Sequence, residues 1–425
     1  MNGPRPYPDF GIIRQSFPSH PAPSVEAWLD EELQRSGLLT PVRAGQTVLL
    51  TAGSRGIDSL PAVLAALVQR IKALGAKPFI FPAMGSHGGA TAPGQVEVLA
   101  RLGISEASIG APIYNGWQSV QIATADGGVP VYVDKAAAEA GHILLINRVK
   151  EHTDYIGTTE SGLLKISVIG LGRRPCAEVM HRLAIAKGYL QAIHTLSRVI
   201  IARLNILGGV ALLEDHHNQL RRLEAVPTAQ LFQREPALLA ESQRYKPRLP
   251  FDELDLLVIQ QIGKEFSGTG ADTKVVGRIM NRFEQECRRP FIKRLLILDL
   301  SPRSYGNAIG VGLADYTTRR LVEKMDQAAT AVNCITGARP ELGRVPIALT
   351  SDREALDTAL GNIGFWTTAG VKMLWINNTK ELERLAASPA LLREAAGRED
   401  LIVEGEPFAL EFNAEGNLEP PLGSA

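Results

Sequence analysis

Short apolar runs alternate along this chain with longer stretches in which apolar residues recur at every third or fourth position. The short runs have the length and β-branched character of buried strands, and the longer ones that of helices with one apolar face. Their alternation predicts crossovers between parallel strands, and so an α/β protein with mostly parallel sheets. QTVLLTA (46–52) predicts a strand, LPAVLAALVQRIKALG (60–75) a helix stopped by Gly75, and PFIFPA the next strand. A further helix is expected from about Pro93 to Leu102 with Thr91 as its cap, and GHILLINRV (141–149) as another buried strand of the same sheet.

Beyond His181 the pattern predicts a long helical stretch, then GGVALLED as a strand and a polar helical segment through about Tyr245. KPRLP follows and reads as a linker, because proline removes a backbone donor and ends helices. The alternation then restarts, with LDLLVIQ, RLLILDL, VPIALTS and VKMLWIN as strands and DYTTRRLVEKMDQAA and DREALDTALGNIG as helices. The expectation is two α/β domains, 1–250 and 251–425, with the active site in the cleft between them. The closing PFALEFNAEGNLEPP fits either domain.

Length and charge narrow the function. A chain of 425 residues is long enough for two domains with separate cores. Its 45 Lys and Arg balance 45 Asp and Glu, so no global field would gather a nucleic acid or an anionic membrane, and an anion must be held locally. Cys176, Cys287 and Cys334 are odd in number, lie far apart and show no CxxC spacing, which implies neither a disulfide framework nor a zinc cluster and suits a reducing compartment. The Pro-rich start lacks a signal-peptide core, and no apolar run approaches the roughly 18 residues of a membrane span. A cytoplasmic enzyme without nucleic-acid or membrane partners is expected, its oligomeric state left open.

Glycine, histidine, lysine and arginine gather where the predicted strands end, the side of an open parallel sheet on which ligands bind. In TAGSRGID (51–58), Arg55 stands between a strand and a helix start, a place suited to an anion or to an ordinary turn with a solvated arginine. In AMGSHGGAT (83–91), His87 is flanked by Gly85, Gly88 and Gly89, which reads as a base beside a close backbone approach or as a plain Gly-rich turn. The stretch NRVKEHTDYIGTTESGLLKISVIGLG (147–172) carries His152, Ser161, Gly162 and Lys165, and His181 follows sixteen residues after the lysine. Apolar neighbours would favour the neutral amine of Lys165 for covalent chemistry, or the side chain snorkels to water. His181 alone reads as a structural histidine as readily as a ligand. In VIQQIGKEFSGTGAD (258–272), Gln261 and Lys264 stand three apart past a strand end, and YGNAIGVGLADYTTRRL (305–321) offers a similar loop without a nucleophile.

From about residue 50 to 280, the order and spacing of these segments resemble the lactate racemase family. The resemblance implies a nickel-pincer nucleotide cofactor: a nicotinate-derived mononucleotide holding nickel through sulfur, carbon and sulfur, attached to Lys165 through a thioamide, with His181 as the fourth nickel ligand. Ser161, Gly162, Gly88 and Gly89 would line the cofactor. His87 and His152 would be the acid/base pair, one on each side of a 2-hydroxy acid substrate, with Arg55 on its carboxylate and Gln261 and Lys264 completing the site. The implied reaction is racemisation or epimerisation through a planar 2-oxo acid, a route that avoids removing a weakly acidic proton beside a carboxylate. Thr51, Ala52, Gly53 and Ser54 stand where family members often carry an acidic residue, and the loop around His87 and the VKEHTDYIGTTESG stretch look like a divergent branch, which leaves lactate, a sugar acid and a dicarboxylate open as substrates. Two rivals stand beside this reading: a nickel-independent hydrolase or transferase of an anionic metabolite, and a non-catalytic carrier of the nickel nucleotide. The absence of a GxSxG elbow and of a Walker lysine weighs against the first, and the additional histidines against the second.

Overall fold

The computed structural model describes residues 7–17, 23–54, 56–85 and 87–423, so Arg55 and Ser86 lie outside the described residues. The chain divides into two compact units. One holds residues 23–152 and 156–246 of the described chain, the other 7–17, 153–155 and 247–423. Both are α/β with mostly parallel sheets, the class predicted from the alternation of apolar runs.

Numbered in chain order, β1 (Phe10–Gln15) belongs to the larger sheet of the second unit. The first unit is built on β2 (Thr47–Ala52), β3 (Lys77–Pro82), β6 (His142–Arg148), β7 (Ile206–Glu214) and β8 (Leu220–Pro227), in the order β3-β2-β6-β7-β8. The first four run parallel, and β8 returns antiparallel to β7. A separate hairpin joins β4 (Ser119–Ala125) to β5 (Val129–Asp134). Val48, Leu50, Leu144 and Ile146 on the central strands are fully buried, and the helix Leu60–Ala73 covers them with Leu60, Val63, Leu64, Leu67 and Ile71. That spacing puts one apolar face on the sheet, each such side chain contributing about 1.5–3 kcal/mol.

The second unit contains β9 (Glu253–Ile262), β10 (Phe291–Leu300), β11 (Tyr316–Thr318), β12 (Ile347–Leu349), β13 (Met373–Ile376), β14 (Arg384–Ala387) and β15 (Leu401–Phe408). Its sheet runs β12-β11-β10-β9-β13-β14-β1-β15, with the first five strands parallel and the last three antiparallel to their neighbours. Residues 153–155 are held in this unit by several bonds. Thr273 Oγ1 donates to Thr153 O at 2.5 Å, Lys274 Nζ to Tyr155 O at 2.5 Å, and the buried Arg339 guanidinium pairs with Asp154 at 2.7 Å.

The structure differs from the sequence pattern in two places and assigns one segment that the pattern left open. Strand β8 lies where a polar helical segment is expected, because its charges are paired: Glu224 is buried and takes the guanidinium groups of Arg222 and Arg234. The single helix expected over DYTTRRLVEKMDQAA is split. Tyr316–Thr318 pair with β10 and β12, Thr318 Oγ1 then caps the short helix Arg319–Lys324, and Asp326 caps a new one, Gln327–Thr336. The segment left unassigned at the end of the chain packs in the second unit, with Phe408, Leu410 and Phe412 against its core.

Candidate active site

In the first unit the strand order reverses between β2 and β6, since β2 leads to β3 on one side while β6 lies on the other. The carboxyl ends at such a reversal leave a crevice, because the loops depart in opposite directions. The loops after β2, β3 and β6 converge there. The Ser54 hydroxyl, past β2, shares a hydrogen bond with His87 Nδ1, past β3. A Cβ on Gly53 would stand 3.8 Å from Oδ1 of Asn147 in β6, and Asn147 Nδ2 donates to Gly162 O at 2.9 Å. Arg55 is one residue beyond Ser54 and outside the described residues.

His87 is exposed and precedes the turn Gly88–Ala90, which contains Gly88 and Gly89. The loop is shaped from behind by Gln95, fully buried on the helix Ala92–Arg101, whose Nε2 donates to Gly85 O at 3.0 Å and to His87 O at 3.2 Å. Thr91 caps that helix by accepting from Gly94 N at 3.2 Å. On its other side the loop abuts the turn that follows Lys165: a Cβ on Gly85 would meet Ile169 Cγ2 at 2.8 Å, and one on Gly170 would meet Ala83 Cβ at 2.9 Å.

Lys165 ends a short helical turn, Leu163–Lys165, that runs through a single π segment, Ile166–Gly170, into the helix Leu171–Lys187. Such π insertions are rare and turn side chains out of their ordinary register. Just before it, Ser161 and Lys150 exchange backbone hydrogen bonds at 2.9 and 3.0 Å. The N-terminus of the turn is held by Glu235, wholly buried on the helix Leu231–Tyr245, which accepts from Leu164 N at 2.9 Å. Burial pushes the Glu235 carboxyl up to about 7, against the Leu164 and Leu163 N–H groups that favour its ionised form. A Cβ on Gly162 would lie 2.5 Å from Glu235 Oε1, so any other residue there would push the carboxyl aside. Lys165 itself is half-buried.

His152 stands in the loop closed by the Lys150–Ser161 pair. The buried Glu160 carboxylate accepts from His152 N at 2.5 Å and from Gly157 N at 3.1 Å, fixing the backbone on both sides of residues 153–155. His181 lies on the helix Leu171–Lys187. Gly188 ends that helix with φ 81° and ψ 155°, and the next helix, Tyr189–Arg203, begins at once. The buried Tyr189 touches both histidines: its hydroxyl is 3.2 Å from His181 Nδ1, and the His152 ring centroid is 6.0 Å from its own. Nearby, His194 Nε2 bonds Thr159 Oγ1 at 3.2 Å, and burial together with Arg198 holds that imidazole below its ordinary pKa.

The structure thus gathers the His87 loop, the Lys165 turn, His152 and His181 in one unit. Gln95, Asn147, Glu160, Tyr189 and Glu235 support them and were not singled out from the sequence. The Gly188–Tyr189 pair carried a local signal, a glycine inside an expected helix. The others were silent, because a buried carboxylate or amide reads in sequence as an exposed one.

The second unit has its own reversal, between β9 and β13. Gln261 is at the end of β9 and donates its backbone N–H to Asn377 O at 2.9 Å. Past it, Lys264 Nζ donates to Gly268 O at 2.6 Å and to Asn333 Oδ1 at 2.7 Å. Asn307, in the fifth Gly-rich stretch, also reaches Asn333 Oδ1, at 3.1 Å, while Ile309, Val311 and Leu313 of that stretch are core.

No protein-family model matches the chain, and no curated protein matches it. Among solved structures, the lactate racemase apoprotein from Thermoanaerobacterium thermosaccharolyticum is similar at 13% identity and a TM-score of 0.48, over 83% of this chain and 86% of that one. No group of three or more His, Cys, Asp or Glu placed to hold a metal occurs among the described residues, and no helix among them is long and apolar enough to cross a membrane.

Proposed function

We propose that the chain is a 2-hydroxy acid racemase or epimerase that works with a nickel-pincer nucleotide. The observation that carries the reading is the convergence of the loops after β2, β3 and β6 at one strand-order reversal, which brings together three of the segments whose spacing resembles the lactate racemase family. The donor set fits such a group. A cofactor that brings three of its own nickel donors asks the protein for a single imidazole rather than a cluster, and His181 supplies one. Lys165, on a turn held by Glu235 and Gly162, would carry the cofactor, and Ser161, Gly88 and Gly89 would line it.

When bound, the cofactor supplies a hydride acceptor and donor. The residues of this chain handle the charges and the protons. Arg55 grips the substrate carboxylate, a guanidinium fork matching two oxygens. With its Nδ1 on Ser54, His87 receives the hydroxyl proton of one stereoisomer at Nε2; His152 serves the other from the opposite face, and each returns the proton when the 2-oxo acid is reduced. By the resemblance, Lys264 and Gln261 would steady the developing oxyanion. The test is a panel of single-enantiomer 2-hydroxy acids, including lactate, sugar acids and dicarboxylates, followed by chiral chromatography with the protein produced beside a cofactor-synthesis pathway. Inversion of one of them that is lost in His87→Ala and His152→Ala is expected. No inversion across the panel by cofactor-loaded protein sinks the proposal.

A further inference from the structure

The side-chain amide of Asn147 has a settled orientation. Nδ2 lies 2.9 Å from Gly162 O, and a carbonyl oxygen only accepts, so the nitrogen must face Gly162 and Oδ1 must face away from it. The sheet shows where that is. β2 and β6 pair Leu50 with Leu144, and the same register carried three residues further sets Gly53 beside Asn147. A Cβ on Gly53 would have Oδ1 of Asn147 as its neighbour at 3.8 Å, with no other atom of the described residues within 4 Å apart from those adjacent in the chain. The backbone of Gly53 does not demand glycine, since its φ lies outside the left-handed region; the effect of the missing side chain is to leave room beside that oxygen.

Asn147 is half-buried, no described residue donates to its Oδ1, and the atom is not closed off from solvent. A carbonyl oxygen fixed by its own amide at the carboxyl end of a strand, in the crevice of a strand-order reversal, is placed to accept from a ligand. The ligands of the proposed function limit the donor. The phosphate and ring carboxyl groups of a nicotinate-derived mononucleotide accept, as does the substrate carboxylate, and the substrate's 2-hydroxyl gives its proton to His87 or His152. The ribose hydroxyls remain. A side-chain acceptor beyond a strand end is also the general means by which doubly wound sheets hold a ribose. We propose that Asn147 is a nucleotide-binding residue whose Oδ1 accepts a ribose hydroxyl, while its Nδ2 ties that contact to Gly162 and so to the turn that carries Lys165. The choice of ribose rests on the proposed function; the open acceptor does not.

The test uses the full chain without cofactor, titrated calorimetrically with nickel-free probes: nicotinate mononucleotide and its 2′-deoxy and 3′-deoxy forms. The wild-type protein should bind the ribonucleotide roughly 3–10-fold more tightly than at least one deoxy form, the usual effect of one neutral hydrogen bond. Asn147→Ala, with its fold checked by thermal unfolding, should bind all forms alike. Glu235→Ala loosens the same turn from its other side and should weaken every form while keeping the preference, which separates contact with the hydroxyl from support of the turn. Equal affinities in the wild type, or no binding of the ribonucleotide, overturn the proposal without any variant. A preference that survives Asn147→Ala, or that Glu235→Ala abolishes, overturns it as well. A preference that depends on Asn147, in a protein that inverts no acid of the panel, would sink the proposed function and leave the ribose contact standing. Inversion by a protein with equal affinities would do the reverse.

Discussion

The two strand-order reversals of this molecule are built differently. Between β9 and β13 the candidate residues Gln261 and Lys264 are three apart at one strand end, and Lys264 Nζ is taken up by Gly268 O, four residues further on, and by Asn333 Oδ1. Between β2 and β6 the candidates stand on separate loops and helices and are braced by side chains of other elements: His87 by Ser54 and Gln95, the Lys165 turn by Glu235 and Asn147, His181 by Tyr189. The first arrangement is a strand-end motif. The second is a site in which loops are locked by buried polar groups, the way in which precise acid/base geometry is maintained.

The largest test of this contrast is removal of the bases. His87→Ala or His152→Ala should lower turnover by about 10²–10⁴-fold with nickel content unchanged, as metal analysis beside the chiral assay would show. Normal turnover in both would move the chemistry away from the β2–β6 reversal. Next is the anchor next to His152: Arg339→Met removes a buried guanidinium from Asp154, Glu341 and Ile279 O and should destabilise the protein by about 3–5 kcal/mol in urea denaturation. A change below 1 kcal/mol would mean that residues 153–155 are not held by this pair.

Glu235 gives a test through pH. Its folded pKa, about 7, is above that of the unfolded chain, so between roughly pH 4.5 and 7 the unfolded state releases its proton first. Stability therefore falls as pH rises through that window, and the penalty is complete above pH 7, amounting to about 3 kcal/mol. Glu235→Gln should flatten this fall in denaturation curves taken from pH 5 to 8; an unaltered slope would remove Glu235 from the account. Lys264→Met should lower kcat/KM about tenfold, the loss of one charge-assisted hydrogen bond, while leaving urea stability within about 1 kcal/mol. If kcat falls as far as in the histidine variants, the contrast between the two reversals is wrong. Smallest of all, Arg101→Ala removes an exposed pair with Glu97 and should change stability by less than about 0.5 kcal/mol.

Much of the fold could be read from the chain, because β2, β3, β6, β9, β10 and β13 are apolar runs buried on both faces and their period is unambiguous. The elements that escaped are those whose apolar face is covered by only one neighbour or whose partner is remote. Strand β8 reads as polar because Arg222 and Glu224 neutralise each other on it, and β1 pairs with β14 and β15 from the far end of the sequence. The candidate site divides in the same way. Strand-end histidines, lysines and glycines were visible as motifs, whereas Tyr189 and Glu235 gain their roles only when a helix break and a distant helix bring them to His181 and Leu164.

The most direct measurement is nickel content together with intact mass, on protein produced beside a cofactor-synthesis pathway and compared with His181→Ala and Lys165→Ala. The account predicts stoichiometric nickel, a mass adduct that maps to Lys165, loss of the metal in the first variant and of the adduct in the second. Wild-type protein with neither nickel nor adduct would contradict it.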